Sequence, residues 1–324
     1  MKEFHVNAEN EGQRFDKYLH RLLGESTMSF IYKMLRKKNF VLNDKKADGR
    51  EILKEGDTVK LFLSDDTYEK FRTKSEQVIS SKSNKSKSLG FDLKNNIIYE
   101  DENIILIDKP YGVLSQKSKP EDISINELLI DYLLDSKQVD SESLIQYKPS
   151  VINRLDRNTS GIIIAAKTLK AARVLSDDLK NRTIKKYYLC VIVGHFNKNG
   201  VYKAYLSKDE KNNTVSVTDA PIDKDSVLIE TGYECLSYKD DLSCVKVHLI
   251  TGKSHQIRAH VKHLGFPILG DPKYGVKSIN SKYKENRQLL HAYRLEFPKY
   301  ADEYGFKFSG KSFECTPDFV KKYK

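Results

Sequence analysis

The sequence predicts an α+β fold in which a small basic module precedes a larger strand-rich domain. Three observations lead to it. From residue 97 onward, short apolar runs of strand character are interspersed with helical patterns, without the regular βαβ alternation of a doubly wound sheet. The first 63 residues carry two amphipathic helical patterns and a hairpin signal of their own. Between the two lies a polar, basic tract, Ser80 to Ser88, with nothing to bury. The expected organisation is a module over 1–63, a flexible basic linker over 64–95 and a main domain over 96–324. A chain of 324 residues has ample core for that division, and no internal repeat interrupts it.

In the module, Phe15, Leu19, Leu22 and Leu23 share one face of a helix that begins near Gln13. Ser26 to Ser29 offers N-caps for a second helix, Phe30 to Lys38, with Phe30, Ile31, Met34 and Leu35 as its apolar face. Lys33, Arg36, Lys37 and Lys38 then cluster on the other side. Phe40 to Leu42, the turn Asn43-Asp44 and Lys45-Lys46 form a hairpin signal, and Gly56-Asp57 introduces a last strand, Thr58 to Leu63. A basic helix beside a hairpin suits a grip on a phosphate backbone; the competing reading is an exposed helix face solvated by its lysines.

In the main domain, strands are expected at Ile97 to Tyr99, Ile104 to Ile107, Ile162 to Ala166, Leu189 to Val193, Ser226 to Ile229 and Val245 to Ile250. Val245, Val247 and Leu249 alternate with Lys246 and His248, so the last of these has one wet face. Helices are expected from Ile125 to Leu134, opened by the capping-box spacing of Ser124 and Glu127, from Leu169 to Asn181, and from near Ser254.

The 56 Lys and Arg outnumber the 45 Asp and Glu by 11, which favours polyanionic partners because each neutralised phosphate releases counterions. Four cysteines without CxxC pairing read as free thiols in a reducing compartment. No run approaches the 18 apolar residues of a membrane span, and Met1-Lys2-Glu3 opens no signal peptide. A cytoplasmic protein, monomeric and without membrane association, is therefore expected. The chain has no GxGxxG, Walker or HExxH signature, so no cofactor is expected. His255 and His260 stand at i, i+5, off a common helix face and with no acidic partner at ligand spacing, so no metal is expected either.

The densest chemistry lies in Asn153-Arg154-Leu155-Asp156-Arg157-Asn158-Thr159-Ser160-Gly161, which feeds an apolar strand. Arg154 and Arg157 flank a lone carboxylate and would favour its ionised, nucleophilic form. Taken alone, the segment reads first as a surface ion-pair cluster beside a turn.

It resembles, nearly residue for residue, the central motif His-Arg-Leu-Asp-x-x-Thr-Ser-Gly of the RluA-type RNA pseudouridine synthases, with Asn153 in place of the His. The other blocks of that family follow in order: Asp108-Lys109-Pro110-x-Gly112, Lys186-Tyr187-Tyr188, Thr251 to Arg258 with His260, Gly270-Asp271-x-x-Tyr274-Gly275 and Leu290-His291-Ala292. Residues 29–37 resemble the RluC-like branch, which acts on large-subunit ribosomal RNA. Residues 1–63 are similar to the alpha-L RNA-binding motif of ribosomal protein S-four.

The resemblance implies a mixed, largely antiparallel sheet with the active-site cleft crossing its middle. It implies isomerisation of uridine to pseudouridine in RNA, without cofactor. Asp156 would be the catalytic residue, either a nucleophile on the sugar or a base generating a glycal, with Arg258 its cationic partner and Tyr188 the active-site tyrosine, stacking on uracil and assisting loss of the C5 proton. The base must be flipped out of folded RNA to reach such a cleft. Arg154 and Arg157 would hold flanking phosphates or fill the vacated stack, with Arg154 alternatively a structural anchor for the catalytic loop, and Lys33, Arg36, Lys37 and Lys38 would bind RNA. One competing function is an RNA-binding ribosome assembly factor in which catalysis is secondary. Another is a retaining glycosidase, which lacks the second carboxylate it would need. Asn153 retains hydrogen bonding but loses a titratable ring, so activity is expected to survive if the family His only orients the loop.

Overall fold

A computed structural model describes residues 1–7, 10–24, 26–71, 91–119, 121–140, 143–144, 147–209 and 214–323. The chain packs as two compact units: Met1–Leu93 with Asn126–Ser150 and Ala166–Arg173, and Lys94–Ile125 with Val151–Ala165 and Val174–Lys324.

In the first unit, strands β1 (Lys2–His5), β2 (Phe40–Leu42), β3 (Lys45–Lys46) and β4 (Thr58–Leu61) form an antiparallel sheet ordered β1-β4-β2-β3. Helices α1 (Phe15–Leu22) and α2 (Met28–Arg36) bury Phe15, Leu19, Leu22, Leu23, Ile31 and Leu35 together with Phe40, Val59 and Leu61. Helix α2 begins two residues earlier than the sequence suggests because the Thr27 hydroxyl caps it, accepting from Phe30 N at 3.2 Å. It ends at Arg36 because Lys38 turns left-handed at φ 60°, which brings Asn39 N to Met34 O at 2.9 Å. Asn43 and Asp44, at φ 52° and 59°, give the hairpin both of the positive angles that its two-residue turn requires. Residues 65–71 are helical (α3) and Tyr68 is buried against the module's core, so apolar packing continues past residue 63 into the stretch expected to be tether. The Ser80 to Ser88 tract lies outside the described residues.

The larger sheet has eleven strands among the described residues. They are β5 (Ile97–Glu100), β6 (Ile104–Lys109), β7 (Ser150–Val151), β8 (Ser160–Ala166), β9 (Lys185–Val193), β10 (Gly200–Asp209), β11 (Thr214–Thr218), β12 (Val227–Lys239), β13 (Leu242–Leu249), β14 (Leu290–Glu296) and β15 (Ser312–Glu314). The order is β11-β10-β12-β13-β9-β14-β8-β6-β5, with β7 on β8 and β15 on β14. Strands β8 and β14 run parallel, whereas β5–β6, β9–β13, β9–β14, β10–β11, β10–β12, β12–β13 and β14–β15 are antiparallel. The sheet is thus mixed, as expected. Helices α4 (Ile125–Asp135) and α5 (Leu169–Asn181) fall where their patterns predict them.

Helix α6 (Gln256–His263) lies on one face of this sheet. Its Ile257 and Val261 pack with Tyr188, Cys190 and Ile192 of β9, Val245 and Val247 of β13, and Leu155 of the loop before β8. Every second residue of β9 points this way, so the strand period carries Tyr188 into the same layer as the helix. Lys246 and His248 occupy the opposite, wetter face of β13, where His248 stacks on Tyr187 at 4.7 Å between centroids. No helix among the described residues is long and apolar enough to cross a membrane.

Candidate active site

The loop between β7 and β8 is held by Lys109 at the end of β6 and by the segment that follows it. Lys109 is fully buried, and its ammonium donates to three carbonyls: Pro110 at 3.0 Å, Val113 at 2.8 Å and Arg157 at 3.2 Å. Burial pushes this amine down to about 7, against the opposing pull of Asp156 and Asp108. The Ser115 hydroxyl accepts from Leu155 N at 3.0 Å and donates to Leu155 O at 2.9 Å. Gly112 N donates to Arg157 O at 2.9 Å, and Arg157 Nε donates back to Gly112 O at 3.0 Å. After the loop, Gly161 sits at φ 109°, where a Cβ would lie 2.3 Å from Ala292 O; only glycine lets β8 approach β14 this closely.

So fixed, Leu155 points into the core, Arg154 and Arg157 lie exposed, and Asp156 is half-buried. The cation that touches Asp156 is neither sequence neighbour but Arg258 of α6, whose Nη1 donates to Asp156 Oδ2 at 2.9 Å. This corrects the expectation that the flanking arginines hold the carboxylate: along an extended loop, adjacent side chains diverge. Arg258 is itself clamped. Its Nε and Nη2 form a bidentate pair with buried Asp271, at 2.7 and 3.0 Å, and its guanidinium lies 5.0 Å from the centre of the Tyr274 ring. Burial opposes the Arg258 charge, but Asp271 and Asp156 outweigh it and drive its pKa up. Burial likewise disfavours the Asp271 carboxylate, yet Arg258 and the Lys273 and Tyr274 amides, at 2.8 and 3.0 Å, hold its pKa below the ordinary range.

Tyr188 is buried, and burial together with the Asp156 charge pushes its phenol pKa up, so the hydroxyl keeps its proton at neutral pH. Gln256 pins the start of α6, accepting from Thr251 Oγ1 and Lys253 N on its Oε1 and donating to Thr231 Oγ1 and Glu230 O. His260 bonds Thr231 Oγ1 at 3.1 Å, and burial pushes it down to about 4. His255 bonds the Tyr274 hydroxyl at 2.9 Å, and its Nε2 lies 3.9 Å from Asp156 Oδ2.

Asp108, His291 and Cys315 have potential metal-ligand atoms within 4.8 Å of one another, the one such group found among the described residues. Hydrogen bonds already link them in a chain. Cys315 Sγ donates to Asp108 at 3.1 Å, His291 Nε2 to Cys315 O at 2.9 Å, and Ser160 Oγ bonds His291 Nδ1 at 2.8 Å.

Asn153 Oδ1 accepts from Ile164 N at 2.6 Å, a structural bond beside the loop rather than a contact to Asp156. Asn153→His, whose ring nitrogen can accept the same bond, is expected to change turnover by less than about threefold, under ~0.7 kcal/mol. Asn153→Ala leaves the buried Ile164 N–H unpaired and is expected to cost about 1–3 kcal/mol of stability by thermal melting. A large rise in turnover on restoring His would contradict this assignment.

Asp156, Arg258 and Tyr188 therefore meet in one site, whereas Lys33, Arg36, Lys37 and Lys38 lie exposed on and just after α2 in the other unit. Asp271, Tyr274 and Lys109 were not singled out as working residues by sequence. Gly270-Asp271-Pro272 reads as turn chemistry, and only the fold reveals that the Asp turns inward.

The family model for RNA pseudouridylate synthase matches residues 103–263. An uncharacterized RNA pseudouridine synthase of Mycoplasma genitalium is 36% identical over 306 residues, covering 92% of this chain and 89% of that protein. Ribosomal large subunit pseudouridine synthase C of Rickettsia typhi is 32% identical over 283 residues, covering 86% of this chain and 87% of that protein. Among solved structures, Human RNA Pseudouridylate Synthase Domain Containing 4 shares the fold, with TM-score 0.55 at 20% identity over 77% of this chain and 95% of that one. This chain belongs to the RNA pseudouridine synthase family. It is an isomerase acting on RNA, of the RluC-like branch that its motifs resemble.

Proposed function

We propose that this enzyme converts uridines of large-subunit ribosomal RNA to pseudouridine, with Asp156 as the nucleophile and no cofactor. The observation that carries the mechanism is the Arg258–Asp156 contact of 2.9 Å, made by a guanidinium whose other nitrogens are already bound to Asp271. The carboxylate is thereby oriented through one oxygen, leaving the other to meet ribose C1′. As the bond from Asp156 to C1′ forms, the C1′–N1 bond breaks and uracil keeps the electron pair. The ring turns, C5 bonds to C1′ and the carboxylate is released. C5 then loses one proton and N1 gains one, so the product is an isomer needing no redox partner or metal. Tyr188 walls the apolar side of the site, a surface on which a uracil ring can stack. Its protonated hydroxyl assists loss of the C5 proton as a relay toward the freed carboxylate rather than as a phenolate.

Assignment of the RNA rests on relatives named ribosomal large subunit pseudouridine synthase C and D. Residues 1–63 are read as an alpha-L RNA-binding module, with Arg154 and Arg157 as contacts to nucleotides flanking the flipped base. Purified protein incubated with unmodified large-subunit ribosomal RNA should create pseudouridine at discrete positions; an unchanged transcript beside a modified RNA of another class would overturn the substrate assignment. Replacing Lys33, Arg36, Lys37 and Lys38 together by Gln is expected to weaken RNA binding. The salt dependence should become shallower by about 0.7–0.9 for each phosphate no longer neutralised, with kcat unchanged. Titrating binding against salt checks this, and an unaltered slope would remove those residues from the interface.

A further inference from the structure

His255 is the residue of this site whose geometry the mechanism above leaves unused. It stands at the N-terminus of α6 in the left-handed region, φ 55°, a conformation uncommon outside glycine that is retained where surrounding contacts impose it. Those contacts fix its chemistry as well. Val215 N donates to the Tyr274 phenol oxygen at 2.9 Å, so the phenol hydrogen turns to His255 Nδ1, also at 2.9 Å. Nδ1 is then the acceptor and Nε2 carries the ring proton. That N–H lies 3.9 Å from Asp156 Oδ2, too far for a hydrogen bond, and the side chain is largely buried. Burial holds the imidazole below its usual pKa, with Arg258 and Lys273 acting in the same direction and Asp156 against, so the ring is neutral at pH 7.

We propose that His255 is a further catalytic residue, whose Nε2–H donates a hydrogen bond to uracil O2 as the C1′–N1 bond breaks. This rests on the reading of Asp156 as the group that meets C1′. The carboxylate meets C1′ on the face opposite N1, but O2, on the carbon next to N1, projects back alongside C1′, so a donor standing beside the carboxylate is within reach of the oxygen on which the departing charge accumulates. No proton is transferred. A neutral, preorganised donor stabilises the charge without the cost of reorienting water. Tyr274 acts through His255 as a positioning residue, by fixing which nitrogen holds the hydrogen.

The test uses two substitutions with opposite geometry. His255→Gln sets an amide N–H where Nε2 stands and gives up the Tyr274 bond. His255→Asn reproduces the Nδ1 end, keeps a partner for Tyr274 and tolerates the left-handed backbone, but has no group at Nε2. Full-length variants are assayed by tritium release from total RNA of cells lacking this protein, labelled at uridine C5, with RNA binding and melting temperature measured alongside. His255→Gln is expected to stay within about tenfold of wild-type kcat, and His255→Asn to fall by about 10²–10³-fold, both with unchanged KM for RNA. Tyr274→Phe, which leaves the ring but frees its tautomer, is expected to lose about tenfold in kcat. Asn equal to or better than Gln would overturn the proposal and leave His255 a partner of Tyr274 only; wild-type kcat in Tyr274→Phe would overturn the tautomer control. Asp156→Ala, run in parallel, separates the two readings: its activity would refute the nucleophile itself, whereas its inactivity with an active His255→Asn would refute only the role of His255.

Discussion

Asp156→Ala is expected to eliminate detectable isomerisation, a loss of about 10⁴-fold or more in kcat, while RNA binding and folding stay near wild type. The expected split follows from how the site is wired. Asp156 is only half-buried and holds Arg258 through one nitrogen, while Asp271 holds the same guanidinium through two and is fully buried. Removing Asp156 therefore leaves Arg258 paired, and no buried charge is stranded. A melting curve and an RNA-binding titration on the variant check the silent half of the prediction, and tritium release checks the other. A variant retaining more than about a hundredth of wild-type turnover would contradict a nucleophilic role.

Arg258→Met should behave differently, losing both activity and stability. Its removal strands the Asp271 carboxylate in a site from which water is excluded, at an expected cost of about 3–5 kcal/mol at neutral pH. The sign of the pH dependence follows. In the wild type the Asp271 pKa is depressed, so its contribution is present above the unfolded value and is lost only as pH falls through the lower folded value. In the variant the arginine is gone and burial dominates, so the folded pKa rises above the unfolded one. The deficit is then largest at high pH and shrinks as acid protonates Asp271. Melting curves from about pH 5 to 8 should show the variant gaining on the wild type toward the acid end; a constant gap would mean that Asp271 is compensated by another group.

The residues that meet in the site were legible one at a time, through motif resemblance. Of their wiring, the resemblance implied the Arg258–Asp156 pair, but not the clamp that Asp271 and Tyr274 place on Arg258. Asp156 and Arg258 are 102 positions apart, and only the packing of α6 on β9 and β13 brings them together. Sequence proximity pointed instead to Arg154 and Arg157, which face outward because neighbouring loop residues alternate about a buried Leu155. Asp271 was hidden by its company: between Gly270 and Pro272 an Asp looks like a turn former, and nothing in the order of residues says that its carboxylate is buried. Patterned helices such as Leu169–Asn181 were fully legible. Strands β10 and β11 were not, because β10 buries only Ala204 and Leu206 and β11 only Val215, too few apolar positions to stand out from a polar loop. The α2 boundary shifted for a local reason of the same kind, since several hydroxyl residues could cap the helix and the hydrogen bond selects Thr27.

Isomerisation of ribosomal uridines through Asp156 is the proposal on which the rest depends. Its most direct test is pseudouridine mapping of RNA from cells lacking the protein, complemented with wild type or with Asp156→Ala. Discrete large-subunit ribosomal RNA positions should lose pseudouridine in the deletion strain and regain it with wild type alone. Unchanged pseudouridine at every position, or restoration by Asp156→Ala, would contradict it.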